Sequence, residues 1–171
     1  MAYCDLLRMT MLLAGGSATV LALITVLAAN RADDTLTLFV AAGWWTVALI
    51  VGLWLGRPSR AEEAMRPVLA AARTTPTLPP SESPSRAALA RLWPLGAFAL
   101  VAGGVGFVLP GVAAIGAGFA IAGALAGRGR ESAVAAIEER DGVRFYVEPG
   151  SALTPVRLVR TPGLRRGRPP P

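Results

Sequence analysis

Three long stretches of the chain carry no charged residue, and they set the first expectation about its fold. They cover residues 9–30, 35–56 and 92–127. A membrane-spanning helix needs about 20 mostly apolar residues to cross roughly 30 Å of hydrocarbon. The first two stretches each fit one crossing, and the third fits two short crossings joined at a corner. The pattern therefore predicts an all-α integral membrane protein with four transmembrane helices arranged as two hairpins.

The same pattern divides the chain into four parts. The first apolar run, at about 20 residues, is longer than the 7–15 of a signal-peptide core, so we expect residues 1–29 to be a retained helix rather than a cleaved signal. The predicted parts are an N-terminal transmembrane hairpin, a cytoplasmic loop, a second transmembrane hairpin and a cytoplasmic basic tail: 1–56, 57–91, 92–127 and 128–171.

Small residues dominate the third uncharged stretch, where 19 of 36 residues are Gly or Ala, against 13 of 44 in the first two. They recur at alternating spacings of three and four, which places them on one face of each helix. In a bilayer, close backbone approach over small residues supplies helix packing. We expect a tight antiparallel hairpin with its corner at Pro110, in which enlarging Gly106 or Gly123 costs more stability than enlarging Gly52. The predicted packing residues are Gly96, Ala99, Gly103, Gly106, Ala113, Gly116, Ala120, Gly123 and Gly127.

Each arm of this hairpin is short for a full crossing. A re-entrant hairpin that enters the membrane and returns on the same side is the alternative to two full crossings. In either arrangement both ends of the stretch lie on the same side, so the orientation of the chain is unaffected.

The loop and the tail each predict some structure. In the loop, Ser59 and Glu62 form a capping-box pattern that predicts a short helix over about 60–72. The following stretch, 74–85, is rich in Pro, Ser and Thr and predicts a flexible linker.

In the tail, periodic apolar positions predict a small helix over 131–140 that is broken by Gly142. Two short extended runs, 143–147 and 156–160, predict a possible β-hairpin. Two strands alone are marginally stable in water. We therefore expect this hairpin to be stabilised by packing against the membrane surface, the preceding loop or a partner.

All basic residues are Arg, and their distribution orients the chain. Sixteen of the 17 Arg lie in the N-terminal segment, the loop and the tail, and only Arg31 lies in the turn between the first two crossings. Basic residues beside membrane helices are retained on the cytoplasmic side. The sequence therefore predicts a multi-pass protein of the cell (plasma) membrane with both termini cytoplasmic. Trp54 and Trp93 fit an aromatic belt at that interface.

Polar groups inside the predicted crossings have two expected roles. Trp44 and Trp45 lie mid-way along the second crossing, and a buried indole N–H needs an acceptor. We expect one of them to face another helix, the alternative being an apolar side chain in contact with lipid. The hydroxyl groups are expected to bond to the backbone of their own helix: Ser17, Thr19, Thr25, Thr37 and Thr46.

Little catalytic chemistry is apparent. The chain has no His and a single Cys, Cys4, so it can form neither an internal disulfide nor a cysteine metal cage. No acid or base falls inside the uncharged stretches, which argues against transport coupled to a membrane carboxylate. The adjacent pairs Asp33-Asp34 and Glu138-Glu139 are expected to be solvated. We predict no catalytic, cofactor-binding or metal site, and we do not expect an enzyme.

The remaining features favour a small membrane scaffold or interaction protein. The Gly/Ala hairpin would pack on a second copy or on another membrane protein. The basic tail would contact anionic lipid head groups or a cytosolic partner, and nucleic acid is disfavoured as a ligand. The alternative is a transport component, either a channel or the membrane subunit of a larger exporter. The tail residues expected to make these contacts are Arg157, Arg160, Arg165, Arg166 and Arg168.

Overall fold

A computed structural model describes residues 1–74, 84–148, 150–152, 154 and 156–162. This part of the chain forms five helices and three strands, and four of the helices, all except the third, are long and apolar enough to cross a membrane, as the sequence predicts. The elements are α1 (Tyr3–Arg31), α2 (Thr35–Leu55), α3 (Pro58–Ala70), β1 (Arg73–Thr74), α4 (Pro84–Gly106), α5 (Pro110–Asp141), β2 (Val143–Val147) and β3 (Leu158–Pro162).

The central helix of the bundle is α5, which packs most extensively against α1, next against α2 and less against α4. A Cβ built at Gly116 of α5 would lie 3.1 Å from the Leu21 side chain of α1, and one at Gly127 would lie 3.7 Å from Met11. The matching face of α1 consists of buried, mostly small residues at spacings of four and three. These residues are Ala14, Ala18, Leu21, Thr25 and Ala28.

A second face of α5 packs even more closely against α2. A Cβ built at Gly52 of α2 would lie 2.9 Å from the Cα of Ala122. Near the end of α2, the Gly129 position lies against the backbone of Gly56, where a built Cβ would be 2.6 Å from the Gly56 Cα. The density of Gly and Ala in α5 therefore has a physical reason, because two neighbouring helices approach this helix closely on different sides.

The predicted hairpin packing of the last two crossings requires correction. At the corner the two helices do meet, since a Cβ built at Gly106 would lie 2.5 Å from the Cβ of Ala113. Gly103, however, faces Ile24 of α1, and no described atom lies within 4 Å of a Cβ built at Gly96 or Gly123. The expectation that Gly123 is more sensitive than Gly52 is wrong within the chain.

Part of the predicted packing is present, since a Cβ built at Gly116 would lie 3.4 Å from the Cβ of Ala102 of α4. The rest differs because α5 presents other small residues to α1 and α2, which are distant in sequence. The two remaining alanines of the predicted stripe, Ala99 and Ala120, are only partly buried. Packing of Gly96 and Gly123 against a second copy stays a prediction.

Both tryptophans in the middle of α2 face α5. The indole N–H of Trp45 donates to the carbonyl oxygen of Ala114 at 2.9 Å, and that of Trp44 donates to Ile115 at 3.3 Å. The Trp44 ring lies over Gly118, where a Cβ would collide with the indole. The sequence predicts such a contact for one tryptophan, whereas in the structure both tryptophans make it.

The hydroxyl groups inside the spans follow their predicted role in most cases. The Oγ1 atoms of Thr19, Thr25 and Thr46 donate to carbonyl oxygens four residues earlier in the same helix. Thr37 departs from this, because its hydroxyl donates to the Asp34 carboxylate instead of to its own helix. The backbone N–H of Thr37 donates to the same carboxylate at 3.0 Å, so that Asp34 caps the start of α2. The prediction that Asp34 is merely solvated is therefore wrong. These hydrogen bonds from Thr37 lower the pKa of Asp34, because they favour its charged form.

The two short helices begin and end differently from the sequence prediction. The N-cap position of α3 is Arg57, and the predicted Ser59 capping box is not formed. The helix predicted at 131–140 is not separate, because α5 continues from its span to Asp141. It ends at the predicted break, where Gly142 adopts the left-handed conformation with φ of 63°.

The strands form one three-stranded sheet in the order β1-β3-β2. The predicted hairpin is present, since β2 and β3 pair antiparallel with Phe145 opposite Arg160. The sequence did not predict β1, which pairs parallel to β3 at the start of the predicted linker. Most of that linker, 75–83, lies outside the described residues.

Candidate functional site

A compact subdomain lies at one end of the bundle, and we call it the end subdomain. It combines the first two turns of α1, all of α3, the last turns of α5 and the three-stranded sheet. Ten buried apolar residues from these elements form one core. They are Tyr3, Leu6, Met65, Leu69, Val134, Ile137, Val143, Phe145, Val147 and Leu158. Burial of a side chain of this kind stabilises by about 1.5–3 kcal/mol, so the core can order the loop and the tail together.

The first residues of the chain close one edge of the sheet. The backbone N–H of Val147 donates to the carbonyl oxygen of Met1 at 3.0 Å, and Ala2 forms an antiparallel bridge with Tyr146. An unpaired strand edge is a site of unwanted association. The N-terminus thus covers the outer edge of β2.

Glu138 connects three elements of the end subdomain. One carboxylate oxygen accepts the backbone N–H of Phe145 at 2.9 Å, and the other accepts the Cys4 thiol at 3.6 Å. The side chain therefore connects α5 to β2 and to the start of α1. The prediction that Glu138 is a solvated charge is wrong, because the fold of the tail brings β2 back over α5.

We expect Glu138→Ala to lower the free energy of unfolding by about 1–2 kcal/mol, because it leaves the Phe145 N–H without its charged acceptor. The matched control is Glu139→Ala on the exposed side of the same helix turn, which should change stability by less than about 0.5 kcal/mol. Thermal unfolding of the purified protein in detergent measures both. Equal effects of the two substitutions would contradict this role for Glu138.

The start of α4 is fixed to the connection between β2 and β3. The Arg91 guanidinium donates to the carbonyl oxygen of Glu148 at 3.0 Å, and the backbone N–H of Ala152 donates to Ala90 at 3.0 Å. The end subdomain is thus held by hydrogen bonds to a second spanning helix as well as by the continuous α5.

The candidate membrane spans end at a common level, as contacts across the bundle indicate. Gly127 of α5 lies opposite Met11 of α1, and Gly129 lies opposite Gly56 of α2. These positions are close to the ends of the uncharged stretches. The Arg60 guanidinium stacks 3.6 Å from the ring centre of Trp54 at this level. A cation–π pair of this kind suits the boundary between hydrocarbon and water.

The five predicted tail arginines are only partly described. Arg157 is exposed and lines a cleft of about 260 Å³ together with Arg73 and Glu148. Arg160 is partly buried and lines a second cleft of about 260 Å³ between the sheet and the helices. Both belong to the folded sheet or its margin. Arg165, Arg166 and Arg168 lie outside the described residues.

One other candidate site has little polar chemistry. A groove of about 410 Å³ lies between α2 and α5 at the opposite end of the bundle, and its lining is apolar except for Thr37. Such a lining suits lipid chains rather than a reacting substrate. Among the described residues, no three His, Cys, Asp or Glu side chains are grouped so that they could hold a metal ion.

Comparison of the chain with protein-family models, with curated protein sequences and with solved structures found no match.

Proposed function

We propose that the protein is a membrane-anchored scaffold, which presents the end subdomain as a fixed interaction surface beside the membrane. The observation that carries this proposal is the continuity of α5, which runs from its apolar span directly into the subdomain core through Val134 and Ile137. A helix without a break transmits its orientation to whatever is packed on its end. The subdomain is therefore held at a defined angle and height.

The proposed location is the cell membrane, with the end subdomain and both termini in the cytoplasm. Two observations support it. The described parts of the N-terminal segment, the loop and the tail lie together at one end of the bundle. These three segments carry 16 of the 17 arginines of the chain. Such an excess of basic residues favours the cytoplasmic side.

Cysteine accessibility in intact cells tests this orientation. In a Cys4→Ser background, we expect Ala32→Cys, in the exposed turn after α1, to react with a membrane-impermeant thiol reagent. Ala136→Cys, exposed on the end subdomain, should react only after the cells are permeabilised. Reaction of Ala136→Cys from outside intact cells would overturn the proposed topology.

The interaction role is tested by photo-crosslinking in native membranes. A photo-reactive amino acid is placed at Ala135 or Arg144, both exposed on the end subdomain, and at lipid-facing Leu100 of α4 as a control. The scaffold proposal expects a protein adduct of defined mass from the subdomain positions and none from Leu100. Absence of protein adducts at both subdomain positions would contradict it.

Anionic lipid head groups are a further proposed contact, supported by Arg57 and by the Arg60–Trp54 stack at the end of the spans. Each basic residue near an anionic leaflet gains about 1 kcal/mol. We expect Arg57→Gln with Arg60→Gln to reduce the anionic lipid that remains bound on purification, measured by native mass spectrometry. Arg31→Gln is the control at the opposite end, and an equal loss there would contradict the assignment.

The alternative proposal is a transport component, and a flux assay separates the two. The purified protein in liposomes is tested for passage of ions and small solutes, with protein-free liposomes as the control. The scaffold proposal expects no flux above that control. Flux above the control would favour the transport alternative, because an anchored interaction surface moves no solute.

A further inference from the structure

The second cleft of the end subdomain combines an apolar floor with a charged rim. It lies between α3, the end of α5 and the face of the sheet that covers the helices, with a volume of about 260 Å³. Its floor is formed by Leu69, Ile137 and Phe145, which are 8%, 8% and 3% exposed. A cavity of this size is smaller than the roughly 300–1,000 Å³ of small-molecule pockets. It has room for about one apolar side chain and its immediate neighbours.

The charges on the rim are unequally paired. The Glu62 carboxylate lies 3.5 Å from the Arg66 guanidinium and 3.8 Å from that of Arg140, and Asp141 lies 3.0 Å from Arg140. In the described part of the chain, no carboxylate lies within 4 Å of Arg160. Arg140 thus has two carboxylate partners, whereas Arg160 has none among the described residues.

Arg160 lies in the cleft, where a charge without an ion-pair partner is costly. Arg160 is the direct cross-strand partner of Phe145, so both side chains project from the same face of the sheet, toward the helices. Its side chain is partly buried and lines the cleft beside the apolar floor. Withdrawing a guanidinium from water without a counter-charge is costly. An anion that entered the cleft would remove this cost.

The distance from the membrane identifies the source of the anion. Arg140 follows Gly127, the last residue of the uncharged stretch, by 13 residues of continuous helix. At 1.5 Å per residue, this places the rim about 20 Å further along the axis. The head-group layer on each side of the hydrocarbon is only about 5–8 Å thick. Lipid phosphates therefore do not reach the cleft, and its ligand comes from solution.

We infer that this cleft docks an acidic segment of a soluble protein partner, which inserts an apolar side chain next to a carboxylate. The apolar side chain lies on Leu69, Ile137 and Phe145, and the carboxylate pairs with Arg160. This inference rests on the proposed interaction function, and it adds the place on the subdomain and the chemistry of the partner.

The experiment uses the full-length chain in native membranes, with a photo-reactive amino acid at Ala70 on the exposed rim of the cleft. We expect a discrete protein adduct that falls about tenfold or more in Arg160→Gln, because loss of a charge pair in a desolvated site costs more than 1.4 kcal/mol. Arg160→Lys, which keeps the charge, should retain more of the adduct. Arg31→Gln, exposed at the opposite end of the bundle, should leave it unchanged.

Peptide competition tests the chemistry of the partner. A short peptide with a central Glu-Leu pair should reduce the Ala70 adduct, whereas versions with Gln-Leu or Glu-Ser at the same place should not. An adduct that is insensitive to Arg160→Gln, equal competition by all three peptides, or a lipid in place of the protein would each overturn the inference. Adducts at Ala135 or Arg144 with none at Ala70 would refute the cleft and leave the proposed scaffold function standing.

Discussion

Replacing Gly129 by alanine should destabilise the bundle by about 1–3 kcal/mol, the range for forcing an extra methyl group into a packed contact. The built Cβ at Gly129 meets the backbone of Gly56, 2.6 Å from its Cα and 2.7 Å from its carbonyl carbon. Backbone atoms cannot rotate away as a side chain can, so the two helices must separate. Thermal unfolding in detergent measures the loss.

The control for this prediction is the same substitution at Gly123 on the same helix. No described atom lies within 4 Å of a Cβ built at Gly123, and alanine favours a helix over glycine by about 0.5–1 kcal/mol. Gly123→Ala should therefore stabilise slightly. Equal shifts of both variants, in either direction, would show that α2 and α5 do not approach one another at Gly129.

Replacing Phe145 by alanine should cost the end subdomain about 3–5 kcal/mol, because it removes a large side chain from a closed core. Phe145 is 3% exposed and belongs to the core that joins the N-terminus, α3, α5 and the sheet. We expect backbone amides such as that of Val147 to exchange with deuterium much faster in this variant. Amides in the middle of α1 and α2 should keep their protection, because their packing is separate from this core.

The control for Phe145→Ala is Arg144→Ala, one residue earlier and exposed on the other face of the strand. It should leave the exchange pattern almost unchanged, since surface substitutions usually alter stability by less than about 0.5 kcal/mol. If Phe145→Ala left Val147 protected, the core would not be what holds the sheet. If it also exposed the middle of α1, the subdomain and the bundle would unfold as one unit.

The sequence predicts the spanning segments well because hydrocarbon tolerates few charges over some 20 residues. It predicts the break at Gly142 and the strand at 143–147 for similarly local reasons, since left-handed glycine and alternating apolar residues are short-range signals. These features depend on neighbours in the chain and on the solvent around them.

What the sequence does not predict are the pairings between distant segments. A stripe of small residues shows that a helix is approached closely, but it does not show by which partner. The stripe on α5 predicts packing against α4, whereas its Gly127 lies against Met11 of α1. The close contact of α5 with α2 at Gly129 lies outside the predicted stripe. On α2, Ala48, Gly52 and Gly56 recur every four residues. This spacing in the sequence indicates that a second helix approaches α2 closely, and in the structure that helix is α5.

The sequence does not predict the common core of the end subdomain, for a related reason. Its core takes a few residues from each of several segments, so no single segment looks apolar enough to fold. Nothing in the neighbouring sequence distinguishes Glu138 or Arg160, and only the return of β2 and β3 over α5 places them beside Phe145. The candidate cleft could not be predicted without that register.

The pairing of Met1 and Ala2 with the outer edge of β2 has a consequence for biogenesis. The strand they pair with is synthesised about 145 residues later, which is roughly 7–30 s at usual ribosomal rates. During that interval Tyr3 and Leu6 lack their partners in the core of the end subdomain. The end subdomain therefore assembles only after the whole core has been translated, and the apolar residues at the start of the chain stay without their partners until the ribosome has completed β3.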